Sequence, residues 1–384
     1  MILPLIAIES VHVAGSGYNT VGDAAIAFLT KLADDGARAR VPTTLNPIAL
    51  DLSRWQNVMQ MPADLHEKQV QLNRAFEKLG VLPIYSCAPY WTGCVPKIGS
   101  NVAWGEHNAV AFANSIIGAR TNFESHMATI PAAISGRIPY YGMYVPENRK
   151  PRVSIEVTAR LRSPVDWRCL GVAAAKKVGA MIPLFHGLCA VPTVNNLRDL
   201  CASFGPPWTS APMLHIQGIT PEACGNENAV DDVSRLDQFT ISDADLDDVR
   251  RELSGNRNEP IDLVALGCPQ YSLNEIKNVA DRLRNKHVND GVQLWVWTDA
   301  STRAVAERLG LVEVIVNAGG AVIADTCGCA ACPVGRSGFG FRTVATDSTK
   351  SCGFLGRTGL RTYLGTVEEC IDAAATGIWS RRGP

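Results

Sequence analysis

The chain has 384 residues, of which 46% are hydrophobic and 19% are charged. This length and apolar content predict a folded globular protein with more than one core. The formal net charge is −1, and Lys and Arg are dispersed, which argues against a protein that binds nucleic acid or an anionic membrane. No apolar run approaches the ~20 residues that span a bilayer, and residues 1–9 lack the features of a secretory signal. We therefore expect a cytoplasmic location.

Strands and helices alternate in the N-terminal part of the predicted pattern. Residues 3–8 are apolar and predict a short buried strand. Residues 22–35 carry apolar side chains at helical spacing and are followed by Gly36, which favours a helix end. The next predicted elements are a strand, a Pro-bounded loop, a helix and a strand, at residues 37–41, 42–47, 67–79 and 81–86.

The C-terminal part continues the alternation. Strands are predicted at residues 261–266, 293–297, 312–316 and 321–324, and helices at residues 273–285 and 301–309. This order predicts an α/β fold of two to three packed units, with parallel or mixed sheets covered by helices.

Two segments indicate how the chain is divided. Residues 146–151 are rich in proline and charge and predict a connection between an N-terminal α/β unit, residues 1–150, and a C-terminal α/β region, residues 151–384. The acidic, polar segment 224–258 predicts a surface excursion.

Twelve cysteines are present, and the long chain without a secretory signal predicts that they are reduced thiols. Cys87, Cys268 and Cys327 each lie within three residues after the end of a predicted strand. Open α/β sheets bind ligands beyond the carboxyl ends of their strands, so these three thiols could converge on one centre. Thiolates are the usual ligands of iron–sulfur clusters, and three protein ligands would leave one iron open to substrate.

A second metal hypothesis concerns the Cys-x-Cys-x-x-Cys run formed by Cys327, Cys329 and Cys332. This spacing is compatible with a compact zinc or cluster motif. It offers only three neighbouring ligands, however, whereas structural zinc normally takes four. The spacing therefore favours the shared three-loop cluster, with Cys329 and Cys332 as reserve ligands.

Several motifs resemble the large subunit of the aconitase X family, and they occur in the family's order. They are HVAG at residues 12–15, PTTLNP at 42–47, SCAPYWTG at 86–93, WGEHNAVAFANSIIGARTN at 104–122, SGRIPYYG at 135–142, HIQGITPEA at 215–223, ALGCPQYS at 265–272, DTC at 325–327 and TDSTK at 346–350. The resemblance implies an aconitase-like large subunit with an iron–sulfur cluster. It also implies a separate small swivelling-domain subunit, because the chain ends soon after Cys370, where the family's large subunit ends.

The sequence departs from the family's usual motif at three places. It has Glu106-His107-Asn108 where the family usually has Glu-Ser-Ser, and Gln270 where the family usually has His. It has residues 346–348 as Thr-Asp-Ser where the family usually has Thr-Asn-Ser. We expect these positions to border the substrate.

Six further residues are candidates for the chemistry. Glu106 and Lys350 are the catalytic candidates, and Asn46, Arg120, Asn122 and His215 are the substrate-binding candidates. The planar guanidinium of Arg120 suits a substrate carboxylate, although an ion pair within the domain is the alternative. His215 could equally be a hydrogen-bonded core residue, Asn46 could hold a turn, and Lys350 could be a solvated surface residue.

The resemblance implies a hydro-lyase that dehydrates a small hydroxy acid. Cis-3-hydroxy-L-proline, giving pyrroline-2-carboxylate, is the favoured substrate because the predicted site loops carry few Lys and Arg side chains for a phosphate. One alternative substrate is mevalonate 5-phosphate, because backbone amides of the protein could also bind its phosphate group. The other alternative is a catalytically inactive metal-binding homologue.

Overall fold

The computed structural model describes residues 3–224, 235–255, 258–331 and 340–380. The strands are β1 Leu5–Ala7, β2 Val11–Val13, β3 Thr43–Leu45, β4 Ala103–Trp104, β5 Arg137–Pro139, β6 Val153–Val157, β7 Pro183–His186, β8 His215–Ile216, β9 Asp237–Ile241, β10 Glu259–Pro260, β11 Leu263–Leu266, β12 Gln293–Thr298, β13 Ala321–Ala324, β14 Thr343–Thr346, β15 Arg361–Leu364 and β16 Ile378–Trp379. The helices are α1 Tyr18–Asp34, α2 Ala63–Lys78, α3 His107–Phe112, α4 His126–Ser135, α5 Pro164–Val178, α6 Val194–Ser203, α7 Asp243–Leu253, α8 Leu273–Leu283, α9 Ala300–Arg308, α10 Leu311–Asn317, α11 Gly328–Ala331, α12 Thr349–Gly356 and α13 Val367–Thr376.

Three parallel sheets organise the chain. Their strand orders are β3-β2-β4, β8-β7-β6-β9 and β13-β12-β11-β14-β15, and two short antiparallel pairs, β1-β5 and β10-β16, lie outside them. Parallel neighbours need crossover connections, which the intervening helices supply, and the helices cover the sheet faces. The predicted α/β fold with helix-covered parallel sheets is confirmed.

Helix α3 joins the region of the first sheet to that of the second by packing against helices α5 and α6. Its Val110 and Phe112 are buried in one core together with Leu170 of α5 and Leu200 of α6. Apolar side chains at these positions fix the helix rigidly because close-packed interiors tolerate little displacement. The residue that precedes the helix, Glu106, is thereby held in place.

A buried network of charges joins the second sheet's helices to the third. Arg168 of α5 pairs with Asp199 at 3.1 Å and with the Asp347 carboxylate at 2.5 Å, and Arg198 of α6 pairs with Asp199 at 2.7 Å and with Glu275 at 2.6 Å. Buried ions are costly unless each is paired, so this network fixes the mutual position of the four elements that carry it.

The N-terminal strand assignments need correction. The 3–8 segment does form a strand, β1, but the strand is mostly exposed and pairs at an edge with β5 rather than lying buried. Residues 37–41 form no strand, and the predicted loop 42–47 contains β3. The prolines at positions 42 and 47 flank β3, so neither removes a donor from its pairing with β2.

Residues 81–86 make a single bridge, between Tyr85 and Leu45, instead of a strand.

Two C-terminal assignments are also wrong. Residues 312–316 lie in helix α10, whose buried Leu311, Val312 and Ile315 share one face; a short β-branched run does not distinguish helix from strand by itself. The supposed surface excursion, 224–258, contains β9, which pairs with β6, and α7. Helix α7 is amphipathic: acidic residues occupy its first turn, whereas Leu246, Val249 and Leu253 are buried.

Among the described helices, none combines the length and apolar character needed to cross a lipid bilayer.

Gly267, which follows β11 and precedes Cys268, provides a test of the fold around the third sheet. Its φ of +103° is unfavourable for other residues, and an added Cβ would lie 3.1 Å from the Trp297 nitrogen and closer still to the Trp297 oxygen. We expect Gly267→Ala to lower the free energy of unfolding by roughly 2–5 kcal/mol, from backbone strain plus overpacking. Urea-induced unfolding measures this loss.

Gly310→Ala is the matched control, because Gly310 also has a positive φ, +69°, but its Cβ would meet nothing within 4 Å. It should lose roughly 1–2 kcal/mol from strain alone. Equal losses in the two variants would contradict the close approach at Gly267.

Candidate active site

A cavity of about 310 Å³ lies where several strands end. Residues 15–17 follow β2, Asn46 follows β3, and Cys268, Cys327 and Lys350 follow β11, β13 and β14. The cavity is lined by Gly15, Ser16, Gly17, Asn19, Thr20, Asn46, Pro47, Cys87, Glu106, His107, Cys268, Cys327, Cys329, Ala330, Lys350 and Phe354. The carboxyl ends of parallel strands are the usual binding edge of such sheets.

The structure brings the three predicted thiols, those of Cys87, Cys268 and Cys327, to this one cavity. The reserve residue Cys329 joins them, with its sulfur 4.0 Å from the sulfur of Cys268. Cys332, the other reserve residue, lies outside the described residues. The shared cavity, rather than closeness in sequence, is what unites these side chains.

The donor set fits an iron–sulfur cluster better than a single ion. In the described ranges, no group of three or more His, Cys, Asp or Glu side chains is arranged to hold one metal ion. The compact zinc alternative includes Cys332, which lies outside the described residues, so it stays a hypothesis. Soft thiol donors distributed around a cavity suit a polynuclear cluster, which is wider than one ion and is held mainly by thiolates.

Glu106 and Lys350 form a buried ion pair in the same cavity. The Lys350 Nζ donates to Glu106 Oε1 at 2.6 Å, and the Asn46 amide donates to Glu106 Oε2 at 2.8 Å. Glu106 and Lys350 are each 7% exposed. Both carboxylate oxygens are therefore occupied by donors, as a buried carboxylate requires.

The electrostatics of the pair follow from its burial. Burial acts to raise the pKa of Glu106, but the charge of Lys350, the charges of His107 and His12 and the hydrogen bond from Lys350 together lower that pKa to about 2. For Lys350, burial acts to lower the pKa, and the charge of Glu106 raises it above its usual value. Both groups are consequently ionised at neutral pH.

Asn108 extends this pair toward the thiols, and its role was not predicted from the sequence. Its Oδ1 accepts from Lys350 at 2.9 Å, and its Nδ2 donates to the carbonyl of Cys87 at 2.6 Å. One of the departures from the family motif thus links the ion pair to a cysteine loop. Its neighbour His107 lines the cavity as expected.

Residues 15–17, Asn19 and Thr20 were also missed as cavity residues. Gly15-Ser16-Gly17 lies at the junction between β2 and α1. The signal that could have identified it is a glycine-rich strand-to-helix turn, the position at which α/β sheets present backbone amides to a ligand.

Three predicted substrate-binding residues are not brought to the cavity. Arg120 is half-buried, and its backbone is fixed by a parallel bridge with Asn101, away from the strand ends that line the cavity. Asn122 donates to Glu124 at 3.2 Å and accepts from the backbone of Met143 at 2.8 Å, which holds a loop. The prediction that Arg120 and Asn122 face the same cavity as the three cysteines is therefore wrong.

His215 occupies the core position that was the alternative to substrate binding. It lies on β8, is 1% exposed, and its Nε2 is 2.7 Å from the Arg149 carbonyl.

Gln270 and Asp347, the remaining departures from the family motif, are not among the described residues that line the cavity. Asp347 accepts from the Tyr271 hydroxyl at 2.5 Å and pairs with Arg168, so it belongs to the buried charge network. In this structure both residues support the loops behind the cavity, and that they border the substrate stays a prediction.

His12 yields a pH-dependent prediction. Its ring is fully buried and hydrogen-bonded to Thr44 at 2.8 Å, and burial lowers its pKa to about 4 although the charge of Glu106 opposes the shift. The unfolded chain binds more protons at this residue between about pH 4 and 6.5, so its contribution to stability falls on acidification through that window. We expect the stability difference between wild type and His12→Gln to decrease by up to about 1.4 kcal/mol per pH unit there.

Denaturant unfolding of both proteins at pH 7, 6 and 5 measures this difference. A difference that does not change with pH would show that His12 is not held neutral.

The chain matches the family descriptions Aconitase X first domain over residues 3–147, Aconitase X second domain over residues 151–251 and Aconitase X third domain over residues 261–376. It is 37% identical to the phosphomevalonate dehydratase large subunit of Methanothermobacter thermautotrophicus, over 93% of this chain and 86% of that protein. It is 34% identical to the cis-3-hydroxy-L-proline dehydratase of Hypocrea jecorina, over 99% of this chain but 64% of that longer protein.

A crystal structure of Thermococcus kodakaraensis aconitase X in its holo-form superimposes with a TM-score of 0.86 at 34% identity, covering 96% of this chain and 90% of that one. The sequence matches extend over all three parallel sheets and include every residue that lines the cavity. The chain belongs to the aconitase X family.

Proposed function

We propose that the chain is the large subunit of an iron–sulfur hydro-lyase that dehydrates a small hydroxy acid, with cis-3-hydroxy-L-proline as the favoured substrate. The observation that carries the proposal is the sharing of one cavity by the Glu106–Lys350 pair and the thiols of Cys87, Cys268 and Cys327. Elimination of water requires a proton acceptor and a Lewis acid, which an ionised carboxylate and a metal bound to the thiols could supply.

Removal of water from a hydroxy acid needs a proton acceptor and assistance to the departing hydroxyl. A cluster bound to the cysteines would supply the Lewis acidity for the hydroxyl. Glu106 is the proposed proton acceptor, because it is ionised and lines the cavity. Lys350 is the proposed cation for the substrate carboxylate, since two of its three N–H groups are used by Glu106 and Asn108 and one is left for a ligand.

The ion pair also offers a way to make Glu106 a stronger base when substrate is present. Burial acts to raise its pKa, and the Lys350 ammonium is the largest of the influences that lower it. A substrate carboxylate that shares the ammonium would weaken this pull, and burial would then raise the proton affinity of Glu106. Substrate binding and activation of the base would thus be coupled through Lys350.

The charge of the cavity supports hydroxyproline as the substrate. Among the described lining residues, Lys350 is the one Lys or Arg side chain, and it is already paired with Glu106. One shared ammonium matches a single carboxylate better than it matches a carboxylate together with a phosphate dianion. Cis-3-hydroxy-L-proline carries one carboxylate, and its amine could be accommodated near the acidic side of the pair.

Mevalonate 5-phosphate is the second candidate, and a specific feature favours it. The turn formed by residues 15–17 at the start of helix α1 lines the cavity, and a helix start can hold phosphate through backbone amides without any cationic side chain. The Methanothermobacter relative named above as a phosphomevalonate dehydratase large subunit points in the same direction.

A small swivelling-domain subunit is the proposed partner. Relatives from Methanothermobacter thermautotrophicus and Thermococcus kodakarensis are named as large subunits, and the Hypocrea jecorina dehydratase is a longer chain of which this one spans 64%. Both facts support a second component that completes the cavity.

An activity screen of the anaerobically reconstituted two-subunit complex tests the function. Turnover of cis-3-hydroxy-L-proline and not of mevalonate 5-phosphate is expected, with activity dependent on the small subunit. Turnover of the phosphate alone would select the second candidate. A complex that holds iron but acts on neither compound would overturn the enzyme proposal in favour of a metal-binding homologue, and full activity of the isolated chain would exclude a required partner.

Cys87→Ser tests the proposed ligands. Because a serine hydroxyl is a poor substitute for a thiolate at a cluster, we expect iron and acid-labile sulfide to fall below half of the wild-type content and activity to be lost with them. The matched control is Cys201→Ser, since Cys201 is 1% exposed but does not line the cavity. Equal iron content in the two variants would remove Cys87 from the ligand set.

Lys350→Met tests the proposed binding of the substrate carboxylate. Loss of a charge-assisted hydrogen bond is worth roughly 1.5–3 kcal/mol, so kcat/KM should fall by at least about tenfold while iron content is retained. Lys286→Met is the control, because Lys286 pairs with Asp372 at 2.6 Å and is not a cavity residue. Unchanged kinetics in Lys350→Met would contradict this role.

A further inference from the structure

Gln270 is a buried polar residue whose hydrogen bonds converge from separate parts of the site. It is 2% exposed and lies two residues after Cys268. It does not line the cavity within the described residues, so it is not placed to contact a substrate. Burying a side-chain amide costs desolvation free energy unless its oxygen and nitrogen both form hydrogen bonds.

The Cys87 loop is held by Gln270 at two points. The Gln270 side-chain Oε1 accepts from the backbone nitrogen of Cys87 at 3.2 Å, and the Gln270 backbone nitrogen donates to the sulfur of Cys87 at 3.2 Å. The first contact depends on the side chain, whereas the second depends on the position of the backbone.

The other end of the same amide contacts three backbone carbonyls. Its Nε2 donates to the oxygens of Thr298 at 3.0 Å, Thr326 at 3.2 Å and Tyr85 at 3.3 Å. Because Nε2 has two hydrogens, one of them is shared between two of these acceptors. The three carbonyls also fix the orientation of the amide, since its oxygen cannot face them.

These contacts reach every cysteine loop proposed to bind the cluster. Tyr85 is two residues before Cys87, Thr326 is one residue before Cys327, and Gln270 itself follows Cys268 by two. The three loops come from distant parts of the sequence and meet at a single amide group.

We propose that Gln270 is a positioning residue that sets the relative placement of the Cys87, Cys268 and Cys327 loops. The expected consequence for cluster binding rests on the proposed function, but the placement of the loops does not. Substitution by methionine, which has a similar shape, removes the acceptor for the Cys87 nitrogen and the donor for the three carbonyls. The fold and the Gln270 backbone contact to the Cys87 sulfur can remain.

The test uses the reduced, metal-free full chain and the alkylation rate of Cys87 by iodoacetamide, measured by peptide mass spectrometry. Cys87 is 6% exposed, so labelling requires local opening. In Gln270→Met the rate should rise about tenfold, the change that corresponds to a loss of about 1.4 kcal/mol in the local opening equilibrium. Gln270→His, which as a neutral imidazole keeps one donor and one acceptor, should give an intermediate rate.

Gln69→Met is the matched control. Gln69 is also fully buried, and its amide accepts from the Tyr18 and Ala49 nitrogens and donates to Ser16 and Asn73. It makes no contact with a cysteine loop in these bonds, so Cys87 labelling should stay within about twofold of wild type even if global stability falls as much as in Gln270→Met. Equal labelling in the two methionine variants at matched stability would overturn the proposal.

Anaerobic reconstitution of the same proteins separates this inference from the proposed function. Gln270→Met should hold less iron per chain than Gln69→Met, with a weakened visible absorbance of the cluster. If wild type itself takes up no iron, the proposed function fails, and the labelling rates still decide the role of Gln270. If wild type takes up iron and Gln270→Met takes up the same amount with unchanged labelling, the positioning role is excluded.

Discussion

The buried ion pair between Glu106 and Lys350 is the interaction on which the arrangement of the site depends. Two charges taken out of water cost several kcal/mol each, and the pair persists because each charge is matched by its partner and by a neutral amide. Asn46 serves the carboxylate and Asn108 serves the ammonium. The four residues are contributed by the first and third family domains, so the charges are satisfied only when those parts are assembled.

The second family domain has a different task. Of the described residues in 151–251, none lines the cavity, yet this domain supplies Arg168, Arg198 and Asp199 to the buried charge network. Through Asp347 that network supports the short connection before helix α12, which carries Lys350. Through the carbonyl of Gln270, which accepts from Arg198 at 3.3 Å, it supports the loop that follows Cys268. The domain acts on the chemistry by holding two loops from behind.

The strand-end rule accounts for what could be predicted from the sequence. Cys87, Cys268 and Cys327 were placed together because each follows a predicted strand, even though the segment before Cys87 proved to be a single bridge. Asn46 reached the cavity although its strand, β3, was taken for a loop. The sequence therefore predicts which residues lie near the carboxyl end of a strand better than it predicts where that strand begins and ends.

The sequence patterns did not predict the direction in which each side chain points. Arg120 and Asn122 lie in the same motif as Glu106, but the left-handed turn at Gly118 redirects the chain, so its two ends serve different purposes. The six hydrogen bonds of Gln270 described above involve partners between 28 and 185 residues away, and no local spacing encodes such a set. The helix α10 was mistaken for a strand for a related reason, because burial on one face depends on its neighbours α8 and α9.

The separation of the central ion pair along the chain has a consequence for biosynthesis. Lys350 follows Glu106 by 244 residues, so on the ribosome the carboxylate is made long before the ammonium that pairs with it. Domains generally fold in the order in which they emerge, and the first domain can complete its own core of Val13, Leu29 and Phe76 early. Glu106 must then remain hydrated until the third family domain, which carries Lys350, has been made. On the nascent chain the candidate site is therefore an open, solvated face, and Glu106 can be buried as an ion pair only after that domain folds onto it.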